Sequence, residues 1–207
     1  MKNKFVIGGI VLVSAIAVTA ITYFTIKKLT KKDLSKGSFL FIGDSTTANS
    51  NGYVEKIQDK FPNATIKKIA KVGEKTDWML SELKKELATG AKYDVISTLG
   101  GSNDIFSSLR IDKAEANLDE IYSLAKKNGA LVVAITPPNK SFYPATTDKH
   151  RQLISDFDKW IKANKKVDVF IDLDKLVDKK ELFASDFQHI NNEGHEILAD
   201  NYLKKLA

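Results

Sequence analysis

Three short stretches of the sequence carry side chains that can do chemistry together. Gly43-Asp44-Ser45 follows an apolar run, Phe39–Ile42, and leads into the small hydroxyl residues Thr46 and Thr47. Gly101-Ser102-Asn103-Asp104 follows another apolar run that ends at Leu99. Asp186-Phe187-Gln188-His189 comes near the end of the chain, just before Asn191 and Gly194. A serine hydroxyl is a weak nucleophile until a base within hydrogen-bond reach accepts its proton. Histidine suits that task because imidazole changes charge near neutral pH. Asp186, three residues before His189, can fold back along a turn, accept the Nδ1 proton and fix the tautomer. Acyl transfer also needs donors for the oxyanion of its tetrahedral intermediate. Asn103 offers a side-chain amide, Ser45 its backbone N–H, and Gly73 a backbone that substrate can approach closely. The chemistry implied is acyl transfer, with Ser45 as nucleophile, His189 as base and Asp186 orienting His189.

Each stretch alone has a plainer reading. Gly-Asp-Ser suits a turn, Gly-Ser-Asn-Asp a loop, and Asp-x-x-His a helix cap beside a surface histidine. What favours chemistry is that all three occur in order at strand or helix ends. His195 is the rival base, but it lies inside the last helical pattern and has Asn192, not an acid, three residues upstream. His150 opens a polar helical stretch and is expected in solvent. Trp78 and Phe106 each follow a motif closely; they are candidates for an acyl pocket, although such aromatics are more often core. No pair of histidines has a metal-ligand spacing, and cysteine is absent, so no metal or cofactor is expected.

The elements that must hold these residues alternate regularly. Strand candidates are Phe39–Ile42, Thr65–Val72, Asp94–Leu99, Ala130–Thr136 and Val167–Leu173. Helix-like segments lie near Tyr53–Phe61, Asp77–Leu87, Lys113–Lys127, Thr147–Ala163 and Asn192–Leu206. Continuous apolar strands such as Leu-Val-Val-Ala-Ile-Thr imply burial on both faces. The pattern predicts a three-layer α/β/α, flavodoxin-like fold around a five-stranded parallel sheet in the order 2-1-3-4-5. Strand C-termini then share one edge, where Ser45 and Asn103 would meet. Pro137–Thr147, irregular and long, follows the fourth strand and is placed to overhang that edge.

The 207 residues suit one domain with an extension. The net charge of +6 is concentrated in residues 1–36, where seven lysines face one acid, leaving 25 bases and 25 acids in 37–207. A neutral domain lacks the positive field of a nucleic-acid binder. Phe5–Ile26 contains 22 residues without a charge, about 33 Å as a helix, which matches a transmembrane anchor better than a cleaved signal. The expected organisation is a membrane anchor and charged linker over 1–36, then a catalytic domain over 37–207. The lysines flanking the span favour a cytoplasmic domain, and the short tail before it is also that of a signal anchor with the domain outside.

Together the three motifs resemble the SGNH/GDSL hydrolases, a family of serine esterases and lipases, in the family's motif order. That resemblance implies Ser45 as nucleophile, Gly73 and Asn103 completing the oxyanion hole with the Ser45 N–H, and Asp186 with His189 completing the triad. It also implies that Asp44 and Asp104 are structural neighbours, and it favours an extracytoplasmic domain. Members often carry an Asn and a further Gly just upstream of the glycine matched here by Gly73, where this chain has Lys68-Ile69-Ala70-Lys71. The Gly-x-Ser-x-Gly elbow of α/β-hydrolases is absent, since Thr46 and Thr47 follow Ser45. The expected substrate is a small-molecule, glycan or lipid ester. Carbohydrate O-deacetylation, thioester cleavage and a silent membrane-tethered binding module are the alternatives.

Overall fold

A computed structural model describes residues 33–138 and 142–207. Five strands, β1 (Ser38–Gly43), β2 (Thr65–Ala70), β3 (Val95–Leu99), β4 (Leu131–Ile135) and β5 (Val169–Ile171), form a parallel sheet in the order β2-β1-β3-β4-β5. This is the predicted order. The predicted strands overrun at their ends: Val72 lies past β2 in a turn with 71% of its surface exposed, and β5 keeps only three residues.

Eight helices follow in chain order among the described residues: α1 (Ser45–Ala48), α2 (Tyr53–Lys60), α3 (Thr76–Ala88), α4 (Ser102–Ser108), α5 (Asp112–Asn128), α6 (Asp148–Ala163), α7 (Leu173–Leu176) and α8 (Asn192–Leu206). The two faces of β1 explain the layers. Phe39 and Phe41 point into one core with α2 and α8, while Leu40 and Ile42 point into another with α3, α5 and α6. Phe41, fully buried, meets Tyr53 of α2 edge-on at 5.7 Å and Tyr202 of α8 at 5.3 Å. Burial of such a ring stabilises by about 1.5–3 kcal/mol, and here it ties both helices to the central strand. The loop before α8 carries Asp186 and His189, so this packing also sets where they lie.

The register brings three strand ends to one edge of the sheet. Gly43 pairs with Ala70 on one side and with Leu99 on the other, so the chain leaves β1, β2 and β3 at one level. At the opposite edge, Leu34 sits in a short 3-10 turn and packs into the core with 8% exposure. The folded unit therefore starts before Gly37, inside the segment that the sequence assigns to the linker. The expected span at 5–26 lies outside the described residues; among those described, no helix is long and apolar enough to cross a membrane.

Candidate active site

The chain passes from β1 directly into α1, a short helix absent from the sequence-based expectation. Asp44 caps it, its Oδ1 accepting the Thr46 N–H at 3.1 Å. Glycine is required at 43: a Cβ there would lie 2.2 Å from Thr47 Oγ1 and 2.5 Å from the Leu99 carbonyl. Ser45 therefore takes the first helical position, where a backbone N–H has no intrahelical acceptor.

Across the crevice, residues 183–190 form a closed loop. Phe183 and Ile190 make an antiparallel bridge, and the Ala184 N–H donates to the His189 carbonyl at 2.8 Å. Phe187 at the tip has φ +54, a left-handed conformation uncommon for a large residue. Its N–H donates to the Ala184 carbonyl at 2.9 Å, and Lys180 Nζ lies 4.5 Å from its ring centroid. This turn brings the N–H groups of Gln188 and His189 onto Asp186 Oδ1 at 2.8 and 3.0 Å.

His189 then spans the gap. Its Nδ1 lies 2.7 Å from Asp186 Oδ2, and its Nε2 lies 2.9 Å from Ser45 Oγ. With the carboxylate accepting the Nδ1 proton, Nε2 is left as the acceptor facing the serine. Burial pushes the Asp186 carboxyl up, but hydrogen bonds from the His189 ring and from the two backbone N–H groups outweigh it and bring the pKa to about 2. Asp186 is thus a carboxylate throughout the neutral range. The side chains of His189 and Asp186 are 36% and 49% exposed, so the site is open.

The expected oxyanion donors lie on the same edge. Asn103 is near the start of α4, and its Nδ2 donates to the Glu74 carbonyl at 2.8 Å, one residue from Gly73. Gly73 has φ +77, which glycine adopts without strain. The Asp44 N–H donates to the Leu99 carbonyl at 3.2 Å, joining the Ser45 segment to the strand that leads into α4.

The other histidines have different surroundings. His195 is 2% exposed; its Nδ1 accepts the Tyr53 N–H at 3.2 Å, and its Nε2 lies 3.1 Å from Asn49 Nδ2. It caps α2 from a distant helix, a role suited to the place because the N-cap residue, Gly52, has no side chain. His150, expected in solvent, instead lies partly buried and flat against Phe106, with centroids 4.3 Å apart. Phe106 also meets Tyr143 at 6.1 Å, so α4 is joined to the segment that follows β4. Trp78 packs at the margin of the core with Lys71 Nζ 6.0 Å from its ring. No sequence pattern pointed to Phe187 or to the α2-capping role of His195, because a positive φ in a non-glycine residue and a tertiary cap both arise from long-range packing.

A cavity of about 670 Å³ between α6 and the segment after β5 is lined by Asp158, Asp172, Asp174 and neighbouring lysines, and includes none of Ser45, Asp186 and His189. Among the described residues, no group of three or more His, Asp or Glu side chains is placed to hold a metal ion.

Residues 41–197 match the GDSL-like Lipase/Acylhydrolase family. No curated protein matches the chain. An acetylxylan esterase from Geobacillus stearothermophilus is similar in structure, with a TM-score of 0.67 at 21% identity, covering 83% of this chain and 94% of its own. Two further structures of that enzyme, one with a serine and one with a histidine replaced by alanine, are described as catalytic mutants. A member of the lipolytic G-D-S-L family from Veillonella parvula has a TM-score of 0.71 at 18% identity, covering 81% of this chain and 96% of its own. These identities support a common fold.

Proposed function

The chain belongs to the GDSL-like lipase/acylhydrolase family, and on that premise we propose that it hydrolyses carboxylic esters through an acyl-enzyme formed on Ser45. Ser45 Oγ attacks the ester carbonyl as its proton passes to His189 Nε2. The imidazolium, held by the Asp186 carboxylate, gives that proton to the departing alcohol. Water then enters by the same route and releases the acid. The Ser45 and Gly73 N–H groups and the Asn103 amide bind the oxyanion in both steps. The observation that carries this reading is the continuous chain of hydrogen bonds from Ser45 through His189 to Asp186.

A fluorophosphonate probe tests it. The full chain is expected to react once, with the label on the peptide that contains Ser45. A folded protein that stays unlabelled would sink the proposal.

A second reading, carbohydrate O-deacetylation, has support of its own. The triad is open, which suits an ester carried on a bulky polymer, and the similar acetylxylan esterase acts on such a polymer. The position of the tether points the same way. In this reading residues 5–26 cross the membrane as an uncleaved anchor, and the domain lies on the extracytoplasmic side. The chain enters β1 at Ser38, while Ser45 follows the other end of that strand, about 20 Å away. A serine at the far end of the strand from the tether suits glycans better than membrane lipids. The anchor predicts that the full chain stays with the membrane pellet through alkaline carbonate washing. Release by carbonate would contradict it.

A further inference from the structure

Two successive residues of α4 grip the segment that carries Gly73. Asn103 holds the Glu74 carbonyl, as described above. Asp104, 6% exposed, takes two hydrogen bonds from Thr76: the backbone N–H reaches Oδ2 at 3.1 Å and Oγ1 reaches Oδ1 at 2.8 Å. Thr76 is itself fully buried. Asn117 of α5 donates from Nδ2 to Thr76 Oγ1 at 3.0 Å, which leaves the hydroxyl proton directed at Asp104. The residue before α3, Lys75, makes no side-chain cap, so Asp104 supplies that helix's missing acceptor from another part of the chain. Burial pushes the Asp104 carboxyl up, and the Thr76 bonds act against it.

These contacts have a geometric consequence. Gly73 and Asn103 come from different loops, and an oxyanion is bound only if their donors converge on one point. Glu74 and Thr76 are fixed to adjacent residues of α4, so a shift of the backbone at Gly73 relative to the Asn103 amide strains the part-buried Asn103–Glu74 bond or the buried Thr76–Asp104 pair. The second Nδ2 proton of Asn103 is left for substrate.

We infer that Thr76, acting through Asp104, is a positioning residue of the oxyanion hole: its hydroxyl, oriented by Asn117, sets the Gly73 N–H against the Asn103 amide. This rests on the acyl-enzyme reading. The effect is confined to the transition state, because the ground-state carbonyl makes weaker use of the donors than the oxyanion does. Misplacing a catalytic group by about 1 Å lowers rates by up to about 10²-fold.

The test uses the full chain in detergent, p-nitrophenyl acetate, and a boronic acid that forms a tetrahedral adduct with the serine. Thr76→Val keeps the branched shape and removes the hydroxyl. It is expected to lower kcat about 10- to 100-fold, change KM less than about 3-fold, and weaken the boronic acid by the same factor as kcat. Thr76→Ser, which restores the hydroxyl, is expected to return kcat to within about 3-fold of the parent. Asn117→Leu frees the hydroxyl and is expected to lower kcat about 3- to 10-fold with a matching loss of boronic-acid affinity. A folded Thr76→Val protein with parental kcat and boronic-acid affinity overturns the inference. A failure of Thr76→Ser to restore kcat does the same, as does a loss confined to melting temperature. If Thr76→Val does not fold, an unchanged kcat in Asn117→Leu overturns it. A parent chain inert to fluorophosphonate would sink the acyl-enzyme reading itself, whereas an active parent with an unaffected Thr76→Val removes only this inference.

Discussion

Ser45→Ala is expected to lower kcat/KM for short p-nitrophenyl esters by at least about 10³-fold while leaving the fold intact. The size follows because Ser45 Oγ is the only attacking atom in the proposed covalent route. Whatever rate persists would come from the oxyanion donors acting on water, which in such sites leaves a small residue of catalysis. The fold is spared because Ser45 Oγ has His189 as its partner and is not part of the core. Alanine also suits the first turn of a helix. Substitutions away from core and caps usually stay within about 0.5 kcal/mol, so the melting temperature is expected to shift by only a few degrees. The assay therefore pairs initial rates with a thermal melt. A folded mutant that keeps most of its activity would remove Ser45 from the mechanism and leave the hydrogen-bonded triad without a nucleophile.

The second large effect separates two histidines that lie six positions apart. His189→Ala is expected to remove nearly all turnover, because no other base lies against Ser45 in the described structure. Asp186→Asn is expected to lower kcat strongly and KM little, since the carboxylate matters most once His189 becomes imidazolium. His195→Ala is expected to change kcat by less than about 3-fold and to act on stability, since its Nδ1 caps α2.

Stability against pH distinguishes His195 further. Burial, aided by Lys56 and with Glu55 opposing, lowers its pKa from 6.5 to about 4; His189 and Lys68 add smaller effects in the same direction as Lys56. The unfolded chain therefore binds the proton more readily between pH 4 and 6.5, and stability rises with pH across that window. The contribution is complete above about 6.5 and is lost as pH falls toward 4. At about 1.4 kcal/mol per pH unit the full swing is at most about 3.5 kcal/mol. Between denaturant melts at pH 4.5 and 7.5, the parent is expected to lose up to about 2.8 kcal/mol more than His195→Ala does. A dead His195 mutant beside an active His189 mutant would reverse both assignments.

The parts of this protein that depend on local order are readable in its residues. Alternating buried strands and amphipathic segments specify a doubly wound sheet, since strands apolar on both faces need a helical layer on each side. The order 2-1-3-4-5 follows from few topological choices. Gly43-Asp44-Ser45 and Asp186-to-His189 were legible for a similar reason: a tight exit from a strand and a carboxylate three residues before a ring are short-range geometries written in adjacent residues. The rest comes from long-range packing. Ser45 and His189 stand 144 positions apart, and their 2.9 Å contact depends on Phe41 holding α2 and α8 over one strand. His150 lies on Phe106 because α4 and α6 pack together, although its own neighbours are polar. Asp104 caps α3 and His195 caps α2 from other elements, replacing caps that Lys75 and Gly52 do not provide. A missing local partner is visible in a sequence; the residue that replaces it is chosen by the packing of the whole chain.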